Sequence, residues 1–188
     1  MTKGKLIVIS GPAGVGKGTV ISQLLELGGS NFVYSVSATT RTPRPGEVDG
    51  REYHFITREE FMRRADAGMM LEWAEYVGNF YGTPREEVEQ ILASGRNVVL
   101  EIEVEGALQV KASVPDAVLI MIGAPDFDVI ESRLRGRGTN TEEDIIRRLN
   151  RAREELSLMG EFHYLVTNHH GQSDRAAAEI LDIVSDGE

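Results

Sequence analysis

The residues best suited to chemistry begin near the amino end, where Gly11-Pro12-Ala13-Gly14-Val15-Gly16-Lys17 sets two glycines, Gly11 and Gly16, five apart with a lysine directly after. Glycines at this spacing let successive backbone N–H groups turn inward as a nest for a phosphate. The lysine then reaches the β- and γ-phosphates of a nucleoside triphosphate. After Lys17 comes Gly18, not the Ser or Thr whose hydroxyl usually sits on Mg²⁺, and Thr19 follows one place later. The position after Lys17 therefore offers Mg²⁺ no side-chain hydroxyl, and Thr19 carries the nearest one.

A second set has the types that a phosphate dianion asks for. Arg41 and Arg44 offer planar guanidinium forks, and Tyr53 and Tyr81 offer phenolic donors. A third set is the run Arg133, Arg135, Arg137, Arg147, Arg148, Arg151 and Arg153. Phosphoryl transfer needs alignment and positive charge around the migrating group more than covalent help, and such a run can supply both. Carboxylates gather at Glu101, Glu103 and Glu105. Each set also has a plain structural reading: solvated loop charges, strand tyrosines packing a sheet, helix-surface ion pairs with Glu154 and Glu155, and acidic residues favoured at a helix start.

These groups need elements to hold them. Leu6 to Ile9 is a short β-branched apolar run, read as a strand buried on both faces, and a helix from about Gly16 to Leu27 follows the glycine loop. Asn97 to Leu100 and Ala117 to Ile122 are further buried strands, joined through a helix at Ala107 to Ser113. A last strand at Tyr164 to Thr167 precedes a terminal helix from Ser173 to Val184. The pattern predicts an α/β core: a parallel sheet flanked by helices.

Two stretches break the alternation. Residues 35–94 read as an α+β insertion, with strands at Glu52 to Ile56, Leu71 to Tyr76 and Asn79 to Tyr81 and helices at Glu59 to Ala67 and Glu86 to Ala93. Residues 126–158 read as a helical lid, two arginine-rich helices with Thr141 and Asp144 as a capping box for the second. The core is then 1–34, 95–125 and 159–188.

Thirty acidic against twenty basic residues give a formal charge of −10, which argues against a nucleic-acid partner. There is no cysteine, so no disulfide or thiolate metal site is possible, as suits a reducing compartment. The amino-terminal apolar run is too short for a signal sequence or membrane span, so a cytoplasmic location is expected.

The stretch Ser35-Val-Ser37-Ala-Thr39-Thr40-Arg41-Thr-Pro43-Arg44-Pro-Gly46-Glu47 through Tyr53-His-Phe55 closely resembles the guanylate kinase signature. The resemblance continues through Leu71-Glu72-Trp73-Ala74, Gly78 to Thr83, Arg133 to Gly138, Arg148 and Asn168. It implies a P-loop kinase core, a GMP-binding insertion and a lid, with ATP and GMP as substrates, Mg²⁺ as cofactor, and a monomer or homodimer. It assigns Arg41, Arg44, Tyr53 and Tyr81 to the GMP phosphate, and Glu72, Ser37 and Thr83 to guanine, whose N1–H and N2–H₂ donors suit a carboxylate.

The resemblance sets Lys17, Arg41, Arg133, Arg137 and Arg148 as the catalytic cations and Asn168 near adenine. The usual Asn-Asp there is Asn168-His169 in this chain, however. Where the family has two aspartates and a glutamine, this chain has Glu101, Glu103 and Glu105, and Ala13 replaces a common serine. Glu101 is expected to serve the Mg²⁺ water shell and Glu103 the GMP side.

Two alternatives stand beside this reading. One is an inactive guanylate-kinase-like module that binds phosphopeptides, against which the intact Gly11–Lys17 loop argues. The other is a phosphotransferase of the same fold acting on a sugar phosphate, against which Glu72, Ser37 and Thr83 argue.

Overall fold

The computed structural model describes residues 3–136 and 141–185. Strand β1 (Leu6–Ser10) is buried along its whole length, as a strand covered on both faces must be. It lies in the middle of a parallel five-stranded sheet with β2 (Phe32–Tyr34), β7 (Asn97–Glu101), β8 (Val118–Gly123) and β9 (Tyr164–Thr167), in the order β2-β7-β1-β8-β9. Because strand side chains alternate, Ile7 and Ile9 enter one core and Leu6 and Val8 the other. The first core is closed by α1 (Lys17–Gly28), α5 (Phe127–Arg135), α6 (Glu142–Ser157) and α7 (Ser173–Ser185). The second is closed by α3 (Arg85–Ala93) and α4 (Val104–Ser113).

Between β2 and β7 the chain builds a second sheet in the order β4-β3-β6-β5, from β3 (Ala38–Thr39), β4 (His54–Phe55), β5 (Met70–Tyr76) and β6 (Asn79–Pro84). With α2 (Arg58–Asp66) it has its own small core of Ala38, Phe61, Met70 and Phe80, with Trp73 edge-on to both Phe61 and Phe80. Leu71 points the other way, into the core under α3 and α4. The Gln109 amide of α4 completes the join, accepting from Trp73 N at 3.2 Å and donating to Trp73 O at 3.0 Å. The β5 edge is thus covered by a helix of the main core.

The parallel sheet and flanking helices are as predicted. Strands β2 and β3 are additions, and β4 is shorter than the Glu52–Ile56 expected for it. Thr141 Oγ1 accepts from Asp144 N at 3.2 Å, the forward half of the predicted capping box, while the Asp144 carboxylate turns to Arg147. Among the described residues no helix is long and apolar enough to cross a membrane.

Candidate active site

The site forms at the carboxyl ends of β1 and β7, where an open parallel sheet leaves a crevice. The glycine loop leaves β1 there and enters α1 through Gly16, whose φ of 90° is left-handed and natural only to glycine. A Cβ on Gly16 would also come within 2.7 Å of Asn168 Nδ2. That amide donates to Val15 O at 2.7 Å, and the Arg133 fork spans Val15 O at 3.1 Å and Asn168 O at 3.2 Å. A residue of the β9 end and one of α5 therefore brace the loop from behind. Lys17 Nζ lies 2.5 Å from Gly11 O and 3.3 Å from Pro12 O, folded over the loop. A Cβ on Gly18 would meet nothing within 4 Å.

Beside the loop, a cleft of about 390 Å³ runs between the two sheets, lined by Lys17, Tyr34, Ser37, Tyr53, Glu72, Tyr81, Glu101 and Glu103 among others. Tyr53 meets Tyr81 edge-on, with centroids 5.9 Å apart. The Arg41 guanidinium lies 5.4 Å from the Tyr53 centroid and grips Glu47 at 2.8 and 2.9 Å. That fork, helped by Arg44 N, holds the Glu47 carboxyl down at about 2.

At the floor, Glu72 is only 6% exposed, and its Oε1 accepts from Thr83 Oγ1 at 2.7 Å. Burial pushes the Glu72 carboxyl up, and the Thr83 hydrogen bonds oppose that shift. Burial also raises Glu101, against the pull of Lys17 and a hydrogen bond from Tyr34. Glu103 stands at the N-cap position of α4 but makes no capping bond. It reaches Arg151 Nη2 at 3.2 Å, and Arg151 Nε in turn holds Glu155 at 3.0 Å.

The guanylate kinase family model matches residues 3–186. The chain belongs to the guanylate kinase family. The guanylate kinase of Streptococcus thermophilus (strain CNRZ 1066) is 56% identical over 166 residues, covering 88% of this chain and 79% of that one. That of Streptococcus pyogenes serotype M3 (strain MGAS315) is 55% identical over the same length, with the same coverage. Among solved structures, guanylate kinase from Anaplasma phagocytophilum superposes with a TM-score of 0.78 at 32% identity, over 99% of this chain and 87% of that one.

Several residues that the guanylate kinase resemblance assigns to the nucleotides make contacts within the chain. Thr83, expected at the base, is fully buried and meets the site through Glu72. Asn168, expected near adenine, is 5% exposed and spends its amide N–H on the loop. Arg133 holds the loop backbone, and Arg148 is half-buried on α6. Arg137 lies outside the described residues. The Arg44 side chain makes no ion pair among the described residues, whereas the Arg41 fork is turned onto Glu47.

Two contributors escaped the sequence reading. Tyr34 belongs to no motif in the sequence, and only the parallel pairing of β2 with β7 brings its hydroxyl to Glu101. Arg151 read as a surface helix residue until α6 was laid over the cleft beside Glu103.

Proposed function

We propose that this guanylate kinase transfers the γ-phosphoryl group of ATP to GMP, giving ADP and GDP. The observation that carries the reading is the buried Glu72 carboxylate on the floor of the cleft that Lys17 also lines. A nucleotide phosphate at one end and a carboxylate able to accept from guanine N1–H and N2–H₂ at the other fit one GMP molecule. Ser37, lining the same cleft, would assist at the base.

Arg41, Arg44, Tyr53 and Tyr81 are assigned to the GMP phosphate. An oxygen of that phosphate attacks the γ-phosphorus, and the bond to the β–γ bridging oxygen breaks to release ADP. Lys17 and the Gly11–Thr19 backbone align the β- and γ-phosphates, and segment 126–158, carrying Arg133, Arg137 and Arg148, acts as the closing lid over them. Mg²⁺ bound with ATP would neutralise phosphate charge, and Glu101, beside Lys17, would hold its water shell. A cysteine-free chain suits the cytoplasm, the proposed location.

An ADP-release assay with GMP, AMP, CMP and a sugar phosphate as acceptors tests this. Turnover should be high with GMP and low with the others. A sugar phosphate as the preferred acceptor, or phosphopeptide binding without ATP turnover, would replace the reading.

A further inference from the structure

We propose that Gly106 is a specificity-positioning residue: the space left by its missing side chain, opposite the Thr83 hydroxyl, fixes the Glu72 carboxylate in the plane where it reads guanine. The inference rests on the guanine-reading role given to Glu72 above.

Gly106 lies in the first turn of α4 and is buried. Its φ is outside the left-handed region, so no backbone conformation calls for glycine there. Glycine is also a poorer helix former than alanine, so local preference opposes it. Space is what explains it. A Cβ at Gly106 would stand 2.6 Å from Glu72 Oε2 and 3.2 Å from Glu72 Cδ, while the next neighbour, Ile102 Cδ1, is at an ordinary 3.5 Å. The one group that forbids a side chain is the Glu72 carboxyl.

That carboxyl is gripped from two sides. Thr83 of β6 donates to Oε1 at 2.7 Å, and Oε2 stands where a side chain at Gly106 would begin. Because the Gln109 amide of the same helix holds both backbone polar groups of Trp73, sliding β5 along α4 to relieve a clash would break both bonds. An added methyl would instead have to turn the carboxylate, breaking the Thr83 bond and its alignment with two donors that need both oxygens in one plane.

The test is a double-mutant cycle with Gly106→Ala and Glu72→Ala, read both as Tm and as kcat/KM for GMP and IMP. IMP lacks the 2-amino group, so the GMP:IMP ratio reports how well the carboxylate is aimed. Gly106→Ala should cut kcat/KM for GMP by at least ~10-fold and shrink the GMP:IMP ratio, with KM for ATP unchanged. It should lower Tm by about 2–4 °C when Glu72 is present and raise it when Glu72 is alanine, where only helix propensity remains. Additive Tm effects, or an unchanged GMP:IMP ratio, would overturn the proposal. Should the unmutated protein ignore GMP, the proposed reaction falls, while the Tm cycle still decides whether Gly106 makes room for Glu72.

Discussion

A buried carboxylate held by Thr83 still has acceptor positions to spare, and in the proposed reading Glu72 uses them to accept from guanine. An amide in its place would offer one acceptor and turn an NH₂ toward a donor. Glu72→Gln should therefore lower kcat/KM for GMP by ~10² or more, since hydrogen bonds to charged groups contribute about 1.5–3 kcal/mol each. The GMP:IMP ratio should fall and KM for ATP should hold; a ratio untouched by the change would return Glu72 to an ordinary strand residue. Asn168 carries a different burden. Its buried amide is one of two braces on Val15 O, so Asn168→Ala should raise KM for ATP several-fold and cost roughly 1–3 kcal/mol of stability, measured by urea unfolding, with GMP affinity little changed. At this scale residue type and spacing brought out Lys17, Glu72, Tyr53 and Tyr81, which the fold gathers along one cleft. The sequence could not reveal that Thr83 bonds Glu72 and Asn168 bonds the Val15 carbonyl, because a side chain's partner is set by tertiary approach across 11 and 153 positions of chain.

The helices and buried strands were legible for reasons of pattern: β1, β7 and β8 are β-branched apolar runs, and α2 starts where Thr57 caps by accepting from Glu60 N at 3.2 Å. β2 and β3 escaped because three and two residues are too few for a period to show. The β5–β6 hairpin illustrates a conflict between local and global preference. Val77 and Gly78 both have positive φ, 49° and 74°, the two-residue turn whose twist matches paired strands. Gly78 suits it, but β-branched Val77, 81% exposed, does not. Val77→Asn should stabilise the protein by about 1 kcal/mol, seen as a higher Tm, with kinetics unchanged. A lower Tm would mean that the valine side chain is held by something other than its turn.

Across the whole molecule, α6 is fastened to the β7–α4 turn by Glu103, Arg151 and Glu155, with Arg151 also 5.2 Å from the Tyr76 centroid. Burial, and next the nearby Glu103, push the Glu155 carboxyl up to about 7, with Arg151 opposing. The folded protein thus keeps a proton that the unfolded chain releases near the usual carboxylate pKa of about 4.5, so the stability this group contributes is lost as pH rises from there through 7. Glu155→Gln, neutral at every pH, should flatten the decline in Tm between pH 5 and 8; an unchanged slope would place the titration elsewhere. The small aromatic core around Phe61 has its own consequence. It is separate from the two cores of the parallel sheet and is joined to the rest through Leu71 and the Gln109 clamp. Such a unit can open while the five-stranded sheet stays closed. Backbone amides of β3 and β6 should then trade hydrogen for deuterium at a lower opening free energy than those of β1 and β8, and GMP, seated by the proposed reading in the gap between the sheets, should slow that exchange at a distance from any atom it touches.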